Sequence, residues 1–309
     1  STPNDQAWVE SFFGHLKGEH PHLEKIADPG DLEAELDRLG IPADDQRRRL
    51  VRLANPLSDE QPLMRTSLLV SLLSVAHRNV ARGTADLLPL VVVGAPLRHR
   101  NRLYNCAVLI HRGEIIGIAP KSYLPNYREF YEKRWYAPGL DQRGQYIDLG
   151  DLGEVPFGPD LIFRAVDLPD LAIHVEICED VWVPIPPSSE AAAAGASVLM
   201  NLSGSPITIG KSSQRSLVVQ SQSFRTLAAY VYAASGEGES TTDLAWDGQT
   251  MIYEIGELLA ESERFPEGPR RRVADIDLDR IRQERLRVPS FDDNARALGV
   301  NGIGGAGIG

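Results

Sequence analysis

The stretch His174-Val175-Glu176-Ile177-Cys178-Glu179-Asp180 decides how the chain is organised. An apolar run over residues 171–177 ends at a cysteine set among carboxylates. The length of that run and its β-branched residues suit a buried strand. Charges crowded at the lip of such a strand cost desolvation unless they have partners or a use. Two readings of Cys178 follow from the residues alone. One is an inert buried thiol, which is how free cysteine is often found. The other is a nucleophile.

Working outward, residues 181–187 read as a stiff proline turn, 189–196 as a helix and 197–202 as the next strand. Residues 212–229 read as a longer helix, followed by a strand at 230–234. On the other side, residues 90–94 form a β-branched run ending in glycine. Residues 104–111 and 114–119 flank Arg112-Gly113 as a hairpin. Residues 251–255 and 258–260 make a second hairpin around Gly256, and residues 273–276 read as a late strand. Strand–helix–strand order argues a layered α/β fold. The hairpins argue mixed rather than purely parallel sheets.

The chain has 309 residues, 42% of them hydrophobic, which is enough for one large α/β domain or two smaller ones. Mean hydropathy is -0.22 and pI about 5.2. The net charge of -11 argues against a nucleic-acid or anionic-membrane partner. No apolar run reaches the roughly 18 residues of a membrane span. No secretory signal pattern opens the chain. Two cysteines, Cys106 and Cys178, are not a disulfide framework and fit a reducing cytoplasm. Cys106, inside an apolar run, reads as packing.

Residues 1–83 use a different pattern. His15, His20 and His22 lack a metal-ligand spacing. Arg47, Arg48 and Arg49 read as a solvated face. Short and longer helical patterns fall at 31–39 and 64–80. The glycine-rich end, residues 299–309, reads as a flexible tail. It does not open a helix after a strand, so it is not a dinucleotide fingerprint.

A cysteine that attacks an amide carbon needs a base, an oxyanion stabiliser and a pocket for the leaving group. Lys121, just after Pro120 in the polar, aromatic segment 120–138, is the best positive charge for the second need. Its alternative reading is a surface lysine beside a turn. The backbone N–H of Glu179 offers a second donor. Glu132 can hold Lys121 or help move protons.

Residues 84–298 resemble the glutamine-hydrolysing amidase domain of glutamine-dependent NAD synthetases, a branch of the nitrilase or carbon–nitrogen hydrolase superfamily. The matching stretches include VVVGAPLRHRNRLYNCAVLIHRGEIIGIAPKSYLPNYREFYEKRWYAPG, VEICEDVWVPIPPS, NLSGSPITIGK and RLRVPSFDDN. The resemblance implies a four-layer α-β-β-α sandwich with mixed sheets. It implies Cys178 as nucleophile forming a thioester, Lys121 as catalytic lysine and Glu132 as its supporting glutamate. It also implies Tyr127 and Ser205 as residues that position glutamine, Lys211 as a basic residue near substrate, and Glu179 as the backbone donor. No cofactor is implied for glutamine hydrolysis. No ATP- and Mg-dependent synthetase domain follows Asn294. A homo-oligomer in the cytoplasm is implied, with glutamine as substrate.

Residues 51–83 resemble a different family, a segment of the phenylalanyl-tRNA synthetase beta subunit, through Asn55, Pro56, Leu57, Ser58, Glu60, Arg65, Ser67, Leu68 and Leu69, with Met64 a departure. The expected organisation is therefore an atypical region at 1–83, the amidase-like domain at 84–298 and a glycine-rich tail at 299–309. One amidase motif is missing. The family's general-base glutamate lies in a Phe-Pro-Glu-Leu stretch, and this sequence has no Phe-Pro-Glu. At about the expected distance before Lys121 stands Ala54-Asn55-Pro56-Leu57, whose Leu57 cannot accept a proton; Asp59 and Glu60 follow as the nearest carboxylates. Two alternatives to an active glutaminase stand beside it. One is an inactive scaffold or composite; the other is a structural or RNA-associated module.

Overall fold

Successive side chains of a strand point to opposite faces, so a strand buried on both sides must be apolar or partnered throughout. Residues 172–177 meet that demand except at one atom: of the polar pair His174 and Glu176, His174 Nε2 alone lacks a hydrogen-bond partner. In the computed structural model the described residues are 50–52, 63–65, 90–168, 170–236, 244–265, 272–299 and 305–308. The chain divides into two compact units, Ser1–Leu88 with Gly238–Thr242, and Pro89–Glu237 with Asp243–Gly309. In the first unit, β1 (Leu50–Arg52) pairs antiparallel with β2 (Leu63–Arg65). Met64 and Arg65, expected to begin a helix, are therefore extended, because pairing with β1 commits their backbone to a ladder. The rest of that helix lies outside the described residues. So do the helix at 31–39, the three histidines, the arginine run, Asp59 and Glu60.

The second unit holds two sheets. The five-stranded sheet runs in the order β3 (Leu90–His99), β4 (Arg102–His111), β5 (Glu114–Pro120), β7 (Glu154–Phe157), β6 (Gln145–Asp148). All its pairs are antiparallel except β5 with β7. The seven-stranded sheet contains β8 (Ile162–Ala165), β9 (Ala172–Ile177), β10 (Val198–Ser203), β11 (Ala229–Ala234), β12 (Thr250–Glu254), β13 (Glu257–Glu261) and β14 (Gly305–Ile308). Its order is β13-β12-β11-β10-β9-β8-β14. The central β9, β10 and β11 are parallel. The two expected hairpins form, with positive φ at both turn residues, Arg112-Gly113 and Ile255-Gly256. That twist suits two-residue hairpin loops.

Alternation sorts the side chains. Ala107 and Leu109 of β4 and Ala119 of β5 pack against Phe163, Ile173, Val175, Ile177, Val198 and Ala229 of the facing sheet. Gly117 allows this approach, since a Cβ there would lie 2.7 Å from the Phe163 ring. The opposite side of the seven-stranded sheet presents Ala172, Leu199, Tyr230 and Tyr232 to Ala191 and Ala192 of α1 (Pro187–Ala193) and Val219 of α2 (Lys211–Arg225). Two packed mixed sheets with helices outside are the expected architecture. Among the described residues no helix covers the outer face of the five-stranded sheet.

Three local expectations differ. Residues 273–276 are not a strand: they find no ladder partner and lead instead into α3 (Leu278–Arg287) and α4 (Pro289–Ala297). Asp277 caps α3 by accepting the Arg280 N–H at 2.9 Å. The second helix stops at Arg225, not 229, because Leu227 turns left-handed with φ 45. Arg285 of α3 then fills that turn's open acceptors, donating to the carbonyls of Ala196, Thr226 and Leu227. The glycine-rich end, expected as a free tail, contributes β14, parallel to β8. Backbone ladders need no side chains, so low complexity does not prevent an edge strand. No helix of the described residues is long and apolar enough to cross a membrane.

Two buried polar groups yield predictions. Arg215 and Asp247 form an ion pair at 2.9 Å with both side chains fully buried. Gln249 Oε1 accepts from the same guanidinium at 2.7 Å. Asp247→Ala strands a buried charge and is expected to cost about 3–5 kcal/mol in denaturant unfolding. His174 is fully buried, with Nδ1 3.0 Å from the Leu161 carbonyl and Nε2 without a hydrogen-bond partner. Burial pulls it from 6.5 down to about 4. Between these values the unfolded chain takes up a proton that the folded chain refuses, so His174 removes stability as pH falls through that window. The expected loss is about 3 kcal/mol from pH 7 to pH 4. His174→Gln should lack this component of the pH dependence; identical profiles for the two proteins would count against it.

Candidate active site

A strand that ends in a tight turn delivers its last side chain to the edge of the sheet, where it can meet groups from other loops. β9 ends at Ile177, and Cys178 opens a short 3-10 turn, Cys178–Trp182. Cys178 has φ 48, a left-handed conformation that an L-residue adopts at a cost of about 1 kcal/mol or more. Neighbours hold it there. Its N–H donates to Asn201 Oδ1 at 3.0 Å, on the parallel strand β10. The thiol is 8% exposed and joins the apolar layer between the sheets.

Lys121 comes from the other sheet, directly after β5. Its side chain is 3% exposed, and Nζ pairs with Glu132 Oε2 at 2.5 Å. Glu132 Oε1 accepts from Asn105 Nδ2 of β4 at 2.8 Å. The Lys121 backbone is pinned at both ends: its N–H donates to the Asn105 carbonyl, and its carbonyl accepts from Gly139 N–H at 2.7 Å. Gly139 is required at that approach, since a Cβ would meet the Pro120 ring at 2.8 Å and its carbonyl at 2.9 Å. Burial works against the Lys121 charge, but Cys178, Glu132 and Asp180 outweigh it, so the ammonium is held above its ordinary value.

Tyr127, half exposed, donates its hydroxyl to Glu179 Oε1 at 2.7 Å. Desolvation and that bond push its hydroxyl up to about 12, so it stays a donor. Its ring meets Phe130 edge-on at 5.6 Å. Lys211 opens α2 with Nζ 5.2 Å from the Phe130 ring centroid and 5.9 Å from that of Trp182. Burial lowers it, opposed by the Cys178 charge. Lys121, Tyr127 and Lys211 thus all lie within electrostatic reach of the Cys178 thiol. Ser205 follows β10; its Oγ is buried without a hydrogen-bond partner, and its carbonyl faces Arg215 at 3.4 Å.

The structure therefore brings Cys178, Lys121, Glu132, Tyr127, Glu179 and Lys211 into one cluster. It adds residues that sequence reasoning had not assigned. Asp180 is 1% exposed and accepts backbone N–H groups from Ile177, Ser122 and Tyr123. Burial and the Glu176 charge push its carboxyl up to about 7, against the pull of those donors and Lys121. Glu176 accepts from Ser188 Oγ and N–H and from Tyr230 at 2.5 Å, fixing α1 and β11 behind β9. The crowding of Glu176 and Asp180 around Cys178 was the signal that each needed a partner. Asn201 carried a weaker one, a polar residue within the apolar run of β10. Among the described residues, no group of three or more His, Cys, Asp or Glu is placed to hold a metal ion.

The profile of the carbon-nitrogen hydrolases matches residues 63–285, and that of the phenylalanyl tRNA synthetase beta chain CLM domain matches residues 32–88. The chain is 65% identical over 218 residues to a glutamine-dependent NAD(+) synthetase of Mycobacterium leprae (strain TN), covering 71% of this chain and 32% of that protein. It is 62% identical over 239 residues to the one from Mycobacterium tuberculosis (strain ATCC 25618 / H37Rv), covering 77% and 35%. It therefore spans about a third of the length of these relatives. The crystal structure of a carbon-nitrogen hydrolase from Helicobacter pylori G27 superposes with a TM-score of 0.52 at 17% identity, over 90% of each chain, a likeness of fold. With its profile matched across most of the sequence and its two mixed sheets in place, the chain belongs to the carbon-nitrogen hydrolase family.

Proposed function

We propose that this chain hydrolyses the side-chain amide of glutamine. The observation that carries the reading is the meeting of a buried, protonated Lys121 with a cysteine held at a left-handed turn. Cys178 Sγ attacks the carboxamide carbon. The developing oxyanion is stabilised by the Lys121 ammonium and by the Glu179 backbone N–H, donors of the kind that stabilise charge developing in a transition state. Collapse breaks the C–N bond, and ammonia leaves with the proton taken from the thiol. Water then attacks the thioester carbon, releasing glutamate and restoring the thiol. Glu132 keeps Lys121 in place and in its charged form. Tyr127, Glu179, Ser205 and Lys211 surround the amino-acid end of the substrate, with the Lys211 charge suited to its carboxylate. The ammonia would serve NAD(+) synthesis, the activity named in the relatives, within a cytoplasmic enzyme.

A second reading, a folded but inactive amidase domain, is favoured by one observation, the missing Phe-Pro-Glu stretch. A general base must lie within hydrogen-bond reach of the thiol proton. Acyl-enzyme trapping separates the two. Incubated with glutamine and quenched in acid, the full chain should carry a glutamyl adduct on the peptide containing Cys178, and none in Cys178→Ala. Ammonia release should fall about 10³-fold in Lys121→Met, the scale of losing a main oxyanion donor. Glu132→Gln should lower it less, because the amide oxygen can still accept from Lys121 while no longer supporting its charge. A chain that folds, releases no ammonia and takes no adduct supports the inactive reading.

A further inference from the structure

The two halves of the proposed reaction centre come from different sheets. Lys121 follows β5 of the five-stranded sheet, and Cys178 follows β9 of the seven-stranded one. Between those sheets the contacts are apolar. Apolar contact favours closeness but is non-directional, so it does not by itself set the separation of two strand ends. Among the described residues, two hydrogen-bonded links cross the join between those strand ends: the hydroxyl of the half-exposed Tyr127 on Glu179, and the buried Asp180, which holds backbone. Asp180 Oδ2 accepts the Ile177 N–H at 3.0 Å, beside the thiol. Its Oδ1 accepts Tyr123 N–H at 2.8 Å and Ser122 N–H at 3.1 Å, on the segment that carries Lys121, and the Ser122 N–H also reaches Oδ2 at 3.3 Å.

We infer that Asp180 is a positioning residue: its carboxylate clamps the Lys121 segment to the Cys178 turn and so sets the spacing of ammonium and thiol. Nothing in the geometry gives Asp180 a chemical step. It is buried, it faces backbone, and both oxygens are occupied. Bonds to an ionised acceptor are shorter and stronger than neutral ones, and two oxygens bridging two segments resist sliding. The amide of asparagine cannot replace this, because it has one acceptor oxygen. With its oxygen at the Oδ1 place the Ile177 bond is lost; with it at the Oδ2 place the Tyr123 bond and the shorter Ser122 bond are lost, and only the 3.3 Å Ser122 contact still ties that segment. The use to which the spacing is put rests on the proposed amidase reading; the clamp itself does not.

The test uses the full chain as wild type, Asp180→Asn and Glu176→Gln. Glu176 is the comparison because it is a similarly buried carboxylate, on β9 just before the turn, that bonds Ser188 and Tyr230 rather than the Lys121 segment. Asp180→Asn is expected to lower kcat for ammonia release about 10–100-fold, the cost of a displacement near 1 Å, with KM within about twofold. Carboxymethylation of Cys178 by iodoacetamide, read on its own peptide, should slow several-fold as the Lys121 charge drifts from the thiol. Glu176→Gln should lose stability while keeping the wild-type alkylation rate. A folded Asp180→Asn with wild-type kcat and alkylation overturns the clamp. If wild type releases no ammonia, only the amidase reading fails, and the alkylation comparison still decides. Should Asp180→Asn not fold, amide exchange of wild type decides. Comparable protection of the Ser122, Tyr123 and Ile177 amides supports the clamp, and free exchange at Ser122 and Tyr123 with Ile177 protected refutes it.

Discussion

Asp180 takes backbone N–H groups from both sides of the junction between two sheets, and the arrangement around Cys178 depends on it. The left-handed backbone at Cys178 is unfavourable in isolation. It persists because the residues on either side are over-determined. Ile177 is held by Asp180, and the Cys178 N–H by Asn201 of the neighbouring strand. Those bonds convert local strain into a fixed direction for the thiol. The cost falls on a carboxyl removed from water, whose ordinary value is raised by burial and by Glu176.

Charge is balanced by the same logic across the site. Lys121 is nearly as buried as Asp180, yet its ammonium is favoured, because Glu132 and the groups around Cys178 supply more attraction than burial removes. Glu132 in turn has Asn105 on its second oxygen. Lys211 shows the opposite balance: beside the Phe130 and Trp182 rings, burial lowers it. Two lysines on one thiol thus sit on opposite sides of their ordinary value.

Much of the second unit was legible in the chain. The two hairpins announced themselves through a glycine after a single residue between β-rich runs, and β9 through its β-branched, mostly apolar stretch. Those signals are local. Residues 273–276 misled because alternation describes a strand's faces but not its partner, and no neighbour pairs with them. β14 was missed for the reverse reason: its glycines say nothing, while β8 offers an open edge. Of the site, the residue types and their loops were readable. Asp180 and Asn201 were readable only as polar groups in need of partners, since those partners lie 57 and 23 residues away.

By itself, the sequence determined most of the element order of the second unit and its apolar faces, because each depends on periodicity within a short window. It also settled the family, through long stretches kept in order. Tertiary structure alone decided which sheet each element joined, the left-handed turn at Cys178 and the charge of Lys121. All three are set by groups brought together across two sheets, where burial and charge act over a few ångströms of space rather than along the chain.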